Sequence, residues 1–279
     1  MVLPFVAAGV LYPALFVVCR RRRPWPWSRL LLWWAGLALC LVAVTGPLAE
    51  RAEHSLTAHM VGHVLLGMAA PLLLALAAPV TLALRALPAG AARKLVRLLG
   101  SQPLRLLAHP VTAAAMNLGG LWVLYTTAAL AHLHHHPGLH VVVHAHVLVW
   151  GYLFTAAVVG LDPDPHRPSR RYRAVVLGGF LAGHSILAKY LYGHPPPGVG
   201  TVDGERAAMA MYYGGDLVDL ALLVVFCHGW YVAARPRPVS RRSPEASGPL
   251  GGPAREQAGR RRPPRQERGP RPVRPARSG

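Results

Sequence analysis

The sequence predicts an all-α polytopic membrane bundle of about seven transmembrane helices, with the N-terminus outside and the C-terminus inside. Three observations predict it. The 279 residues are 53% hydrophobic and only 15% charged. The apolar residues collect into runs near the ~20 residues that cross a ~30 Å hydrocarbon core. The basic residues fall almost entirely between alternate runs.

The runs lie at 3–19, 30–49, 56–84, 109–130, 139–161, 172–192 and 209–233. The first is short, but no basic leader or small-residue cleavage site accompanies it, so it reads as a retained span rather than a signal peptide. The third is long and holds Pro71 and Pro79, which predicts a kink or local unwinding. Between the third and fourth runs, about 86–107, Arg93, Lys94 and Arg97 alternate with Leu95, Val96, Leu98 and Leu99. That pattern predicts a basic interfacial helix resting on membrane lipid. The membrane domain therefore covers 1–234. Residues 235–279 are rich in Arg, Pro, Gly and Ser, too poor in apolar surface to fold, and read as a disordered cytoplasmic tail.

Orientation follows from the basic residues of short loops. Arg20–Arg23 and Arg29 follow span one, Arg85, Arg93, Lys94, Arg97 and Arg105 follow span three, and Arg167, Arg170, Arg171 and Arg173 follow span five. With the 13 tail arginines, 27 of the 30 basic residues lie on one side. The net charge of +19 is thus a sidedness signal. It does not indicate nucleic acid, because no aromatic residue interrupts the tail to stack on bases. Cys19, Cys40 and Cys227 are scattered and form no CxxC pair, which excludes a disulfide framework.

The histidines divide just as unevenly. Of fifteen, His54, His59, His63, His132, His134, His135, His136, His140, His144, His146, His184 and His194 fall on the outer side, and only His109, His166 and His228 on the inner. Ionisable residues at membrane depth are functional candidates by default. His59 and His63 in HMVGH, and His140 and His144 in HVVVH, are each four apart. That spacing places two imidazoles on one helix face, one turn apart, and lets them converge on one ion. Counting ~1.5 Å per residue from the ends of the runs, His63, His144, His184 and Asp216 all come to roughly 10 Å depth. Asp219 shares a face with Asp216, and Lys189 is a candidate partner for either carboxylate. Met60 beside His59, with Met209 and Met211, adds thioether donors that lean towards copper among copper, zinc and iron. The expected metal-ligating set is His59, Met60, His63, His140, His144, His184 and Asp216.

Plainer roles stand beside these. A lone membrane histidine can simply hydrogen-bond a neighbouring helix. His132, His134, His135 and His136 suit a solvated loop that collects metal loosely. Tyr212, Tyr213, Trp230 and Tyr231 suit the interfacial aromatic belt.

The stretch HMVGHVLLGMAAPLLLALAAPVTLALRALP resembles the third span of the CtaG-type cytochrome c oxidase assembly proteins of bacteria, associated with caa-type oxidases. His109–Pro110 opening span four, LHVVVHAHVLVWGYLF at 139–154 and MYYGGDLVDLALL at 211–223 support the resemblance, which covers roughly 30–233. It implies a non-enzymatic role in the maturation of a haem–copper oxidase in a bacterial cell membrane. The partners would be cytochrome c oxidase subunits, and the cargo copper for the large subunit. By motif, His59, Met60, His63, His140, His144 and Asp216 match the family pattern. The residues by themselves reach an outward histidine layer but not copper. They leave open a bis-histidine haem protein, a membrane di-iron oxidase using histidine boxes, and a zinc or proton transporter.

Overall fold

The computed structural model describes residues 2–127, 129–130, 137–164 and 166–234. The tail and His132, His134, His135 and His136 lie outside the described residues. Those residues form helices with no strand among them. In chain order they are α1 (Leu3–Arg20), α2 (Trp27–Val44), α3 (Gly46–Ala52), α4 (Leu56–Val64), a π turn (Leu65–Ala69), α5 (Ala70–Leu76), α6 (Pro79–Ala86), α7 (Ala89–Leu99), α8 (Gln102–Leu107), α9 (Pro110–Thr126), α10 (Pro137–Val159), α11 (Arg170–Gly193) and α12 (Thr201–Ala234).

Six helical stretches are long and apolar enough to cross a membrane: Leu3–Arg20, Trp27–Val44, Leu56–Ala86, Gly138–Val159, Arg170–Gly193 and Thr201–Ala234. The fourth expected span is the exception. α9 has 17 residues, fewer than the run at 109–130 suggested, although it packs between α10 and α11 as a full member of the bundle. The second run also ends early. Thr45 turns extended, and Gly46, the residue before Pro47, takes φ 73° at the start of the separate short α3, because a residue before proline is driven out of the helical region. At the other end α12 begins at Thr201, eight residues before the apolar run, and reaches 34 residues. The expected interfacial helix is two pieces, α7 and α8, parted at Gly100–Ser101. Neither buries a side chain in the bundle.

The third span is interrupted twice, and proline explains both breaks. Pro71 has no N–H to give the Gly67 carbonyl four residues back, and its ring would press on that oxygen. The helix widens into the π turn, in which Ala70 N–H bonds to Leu65 O instead. The second break is at Ala78, which takes the left-handed conformation (φ 51°, ψ 60°) just before Pro79. In hydrocarbon the freed backbone groups need partners, and distant side chains supply them. Tyr12 donates its hydroxyl to Ala77 O at 2.8 Å. Asp162 accepts from Thr81 N at 2.8 Å, from Thr81 Oγ1 at 2.6 Å and from Val80 N at 3.3 Å, capping α6.

α12 lies along α4 and α11, α10 lies along α9, α5 and the π turn, and α1 and α2 cover α5 and α6. One apolar cluster gathers Met60, Leu121, Tyr125, Leu187, Leu191 and Met211. A second gathers Leu72, Phe154, Leu177, Phe180, Leu222 and Phe226. Leu187 belongs to the first and Phe180 to the second, and His184 stands between them on α11. His184 is therefore flanked on both sides by hydrocarbon side chains.

Candidate metal centre

The first turn of α4 is fixed from across the bundle. Asp203, on the first turn of α12, accepts from Leu56 N at 2.6 Å, Thr57 N at 3.2 Å, Thr57 Oγ1 at 2.6 Å and Ser55 Oγ at 3.0 Å. It does the work of an N-cap while tying α12 to α4. One turn further on, His59 and His63 project from the same face.

Two imidazole pairs result. His59 stands 6.4 Å, ring centre to ring centre, from His144 on α10. His63 stands 6.4 Å from His184 on α11. A cavity of about 20 Å³ is lined by His59, His63, His144 and Tyr125 together with Leu66, Leu124, Val143 and Val147. Tyr125 meets the rings of His59 and His63 edge-on, at 6.0 and 6.3 Å. His59 also lines a larger cleft of about 360 Å³, shared with Glu53, His54, Ser55 and Asp203.

The nitrogens of the two most buried imidazoles lack hydrogen bonds. Both ring nitrogens of His63 and both of His184 have no hydrogen bond, and neither does the Tyr125 hydroxyl, although His63 and His184 are only 6% and 1% exposed. Buried polar atoms in folded proteins are nearly always paired, and an orphan asks for a missing water or ion. Asp219 Oδ2 approaches His184 Nδ1 to 4.0 Å, too far for a hydrogen bond. His144 is prepared differently. Its Nδ1 lies 2.8 Å from His140 O. A carbonyl can only accept, so Nδ1 holds the proton and Nε2 keeps its lone pair. This is how outer hydrogen bonds orient ligating histidines.

The pair distances can be tested against metal chemistry. A metal–imidazole bond of about 2.0 Å puts the metal about 3.2 Å from the ring centre, so two opposed rings sharing an ion stand up to about 6.4 Å apart. Both pairs stand at that limit. Among the described residues no group of three or more His, Cys, Asp or Glu side chains is close enough to hold one ion. Closed tetrahedral ligation is therefore absent from that set.

Of the residues singled out in the sequence, His59, His63, His144 and His184 come together. His140 stacks on His144 at 4.0 Å, one turn nearer the helix start. Met60 is fully buried, but within the apolar cluster that also holds Met211. Asp216 is only half-buried, and it is Asp219, one turn on, that meets His184. The expected pairing of Lys189 with an aspartate is not found. Its ammonium lies over the Tyr212 ring of α12 at 5.4 Å, on the exposed side of α11, more than a turn along from the level at which His184 meets Asp219. His146 serves the plainer role, with Nε2 3.1 Å from Met116 O on α9. Tyr125 was not anticipated, since nothing separates it from the aromatic belt until its helix is docked.

α12 reaches His184 only because Gly215 faces it. A Cβ at Gly215 would lie 2.5 Å from His184 Cε1. A second close approach joins α10 to the π turn, where a Cβ at Gly151 would overlap the Gly67 carbonyl oxygen.

A helical membrane protein with the unsatisfied imidazoles of His63 and His184 buried in its bundle is the class these features define. The profile of the cytochrome c oxidase caa3 assembly factor family, Caa3_CtaG, matches residues 10–233, and the chain belongs to that family. Uncharacterized proteins of Mycobacterium bovis and Mycobacterium tuberculosis are each 37% identical to it over 194 residues. One of Mycobacterium leprae is 34% identical over 190. These matches cover 65% of this chain and 29% of each relative, so the chain spans under a third of their length. No solved structure matches it.

Proposed function

We propose that the chain is a non-enzymatic assembly factor for a haem–copper cytochrome c oxidase in the bacterial cell membrane. It holds copper briefly at its histidine pairs and passes it to an oxidase subunit. The observation that carries the copper reading is the set of four orphaned imidazole nitrogens on His63 and His184, beside two ring pairs at metal-sharing distance. Family membership supports the oxidase as partner. The concentration of basic residues on alternate loops supports seven spans with the N-terminus outside, α9 at roughly 25 Å being the shortest. In that orientation the cleft beside His59 opens to the outer face.

Copper is cargo in this reading, and transfer is ligand exchange. Two-nitrogen coordination leaves the ion open to an incoming ligand from the acceptor, so release needs no protein bond to break before a new one forms. His144 Nε2, held by the bond from Nδ1 to His140 O, is the oriented donor of the pair with His59, which itself lines the cleft. His63 and His184 form the deeper pair. A bis-histidine haem is disfavoured by size, because a cavity of about 20 Å³ cannot take a macrocycle.

The test is metal analysis on detergent-purified protein loaded anaerobically with Cu(I), wild type beside His59→Ala/His63→Ala. Near-stoichiometric copper lost in the double variant is expected. Unchanged stoichiometry would overturn the copper reading.

A further inference from the structure

Below the histidine layer is a second pocket of different chemistry. It has a volume of about 10 Å³, and Gly67, Met68, Asn117, Gly151, Thr155, Phe154, Phe180 and Asp219 are among its lining residues. Three of these are polar side chains from three different helices: Asn117 on α9 is 4% exposed, Thr155 on α10 5% and Asp219 on α12 6%. Thr126 and Thr127 return their hydroxyls to carbonyls four residues back. Among the described residues Thr155 has no such bond, and the Asn117 amide has none either. Gly67 contributes the carbonyl that Pro71 cannot satisfy.

We propose that this pocket is a sodium site, with the Asp219 carboxylate, the Asn117 amide oxygen, the Thr155 hydroxyl and the Gly67 carbonyl as an all-oxygen cage for one dehydrated Na⁺. Three arguments converge. The first is charge. A carboxylate among Phe154, Phe180 and Leu222 needs a counter-charge or a proton; His184 Nδ1 stands 4.0 Å away, beyond hydrogen-bond reach, and the expected partner Lys189 lies over Tyr212. The second is donor type. Oxygen ligands suit hard cations, whereas the imidazoles above suit softer metals. Carbonyls freed where a membrane helix is interrupted are a recurrent source of sodium ligands. The third is size. A water needs roughly 10–15 Å³, which this pocket only just offers. A bare sodium ion is smaller than a water, and potassium is larger than sodium. This site goes beyond the copper reading and does not depend on it.

Thermal unfolding of the full chain in NaCl, KCl and choline chloride at equal ionic strength tests it, with equilibrium dialysis against radiosodium as a second measurement. A Tm that rises saturably with NaCl alone, one sodium retained per chain, and loss of both responses in Thr155→Val and Asn117→Leu are expected. Copper stoichiometry should persist in those variants. If they fail to fold, dialysis of the wild type decides alone. Equal Tm in the three salts with no sodium retained would overturn the proposal and leave Asp219 protonated or hydrated.

Discussion

Replacing Gly215 by alanine probes the deeper imidazole pair without removing any ligand. The new methyl would lie 2.5 Å from His184 Cε1, about 1 Å inside ordinary carbon–carbon contact. His184 is 1% exposed and held between Phe180 and Leu187, so its ring has no free space to enter. Either α12 moves outward or the imidazole tilts, and each route disturbs a 6.4 Å spacing to His63 that already stands at the limit for sharing an ion. Overpacking of this kind costs about 1–3 kcal/mol. Gly214→Ala is the matched control, because its Cβ would meet only Val64, at 3.6 Å, an ordinary contact. Cu(I) competition titration and thermal unfolding should show weaker copper binding and a lower Tm for Gly215→Ala, and near-native values for Gly214→Ala. Equal behaviour of the two variants, or native copper affinity in Gly215→Ala, would refute the packing argument.

Further outcomes follow from the same geometry. Asp203→Ala removes the cap of α4 and its tie to α12 and should lower stability by about 1–2 kcal/mol, read as a fall in Tm, with Asp203→Asn milder because its carboxamide oxygen still accepts. His144→Ala should lose copper, whereas His146→Ala should keep it and only loosen α9 against α10, which separate metal analyses would distinguish. Pro71→Ala restores a donor to the Gly67 carbonyl and should convert the π turn to α-helix, rotating His59 and His63 relative to α5. Copper affinity should then drop while helicity by circular dichroism holds or rises.

Apolar run length and the sidedness of arginine were enough to place the bundle's spans in the chain, because membrane burial acts on composition locally. Six of the seven expected runs correspond to helical stretches long and apolar enough to span. The mismatch at α9 is one of length, because the helix ends at Thr126 where Thr127 turns extended, a stop that apolar run length does not mark. Pro71 and Pro79 announced the broken third span, since a missing N–H is a property of the residue itself. The i, i+4 histidine pairs were likewise legible, as a shared helix face follows from 3.6 residues per turn.

What depended on tertiary structure was partner choice. The His63 ring stands beside that of His184 because α12 packs on both α4 and α11, and the approach of α12 to His184 rests on Gly215. Asp219 replaces Asp216 at the layer because residues three apart on α12 differ by about 60° in facing, and no span count resolves such an angle. Lys189 and Met60 had the right chemistry at the right depth, and docking turned one to Tyr212 and the other into an apolar cluster. The Asn117–Thr155–Asp219 pocket is assembled from three helices far apart in the chain. By itself, then, the sequence determined the spans, the two breaks and the chemical inventory of the interior, since each follows from local composition and backbone sterics. The direction each inventory residue faces was decided only by helix packing, where one glycine or one turn of helix settles which side chains meet.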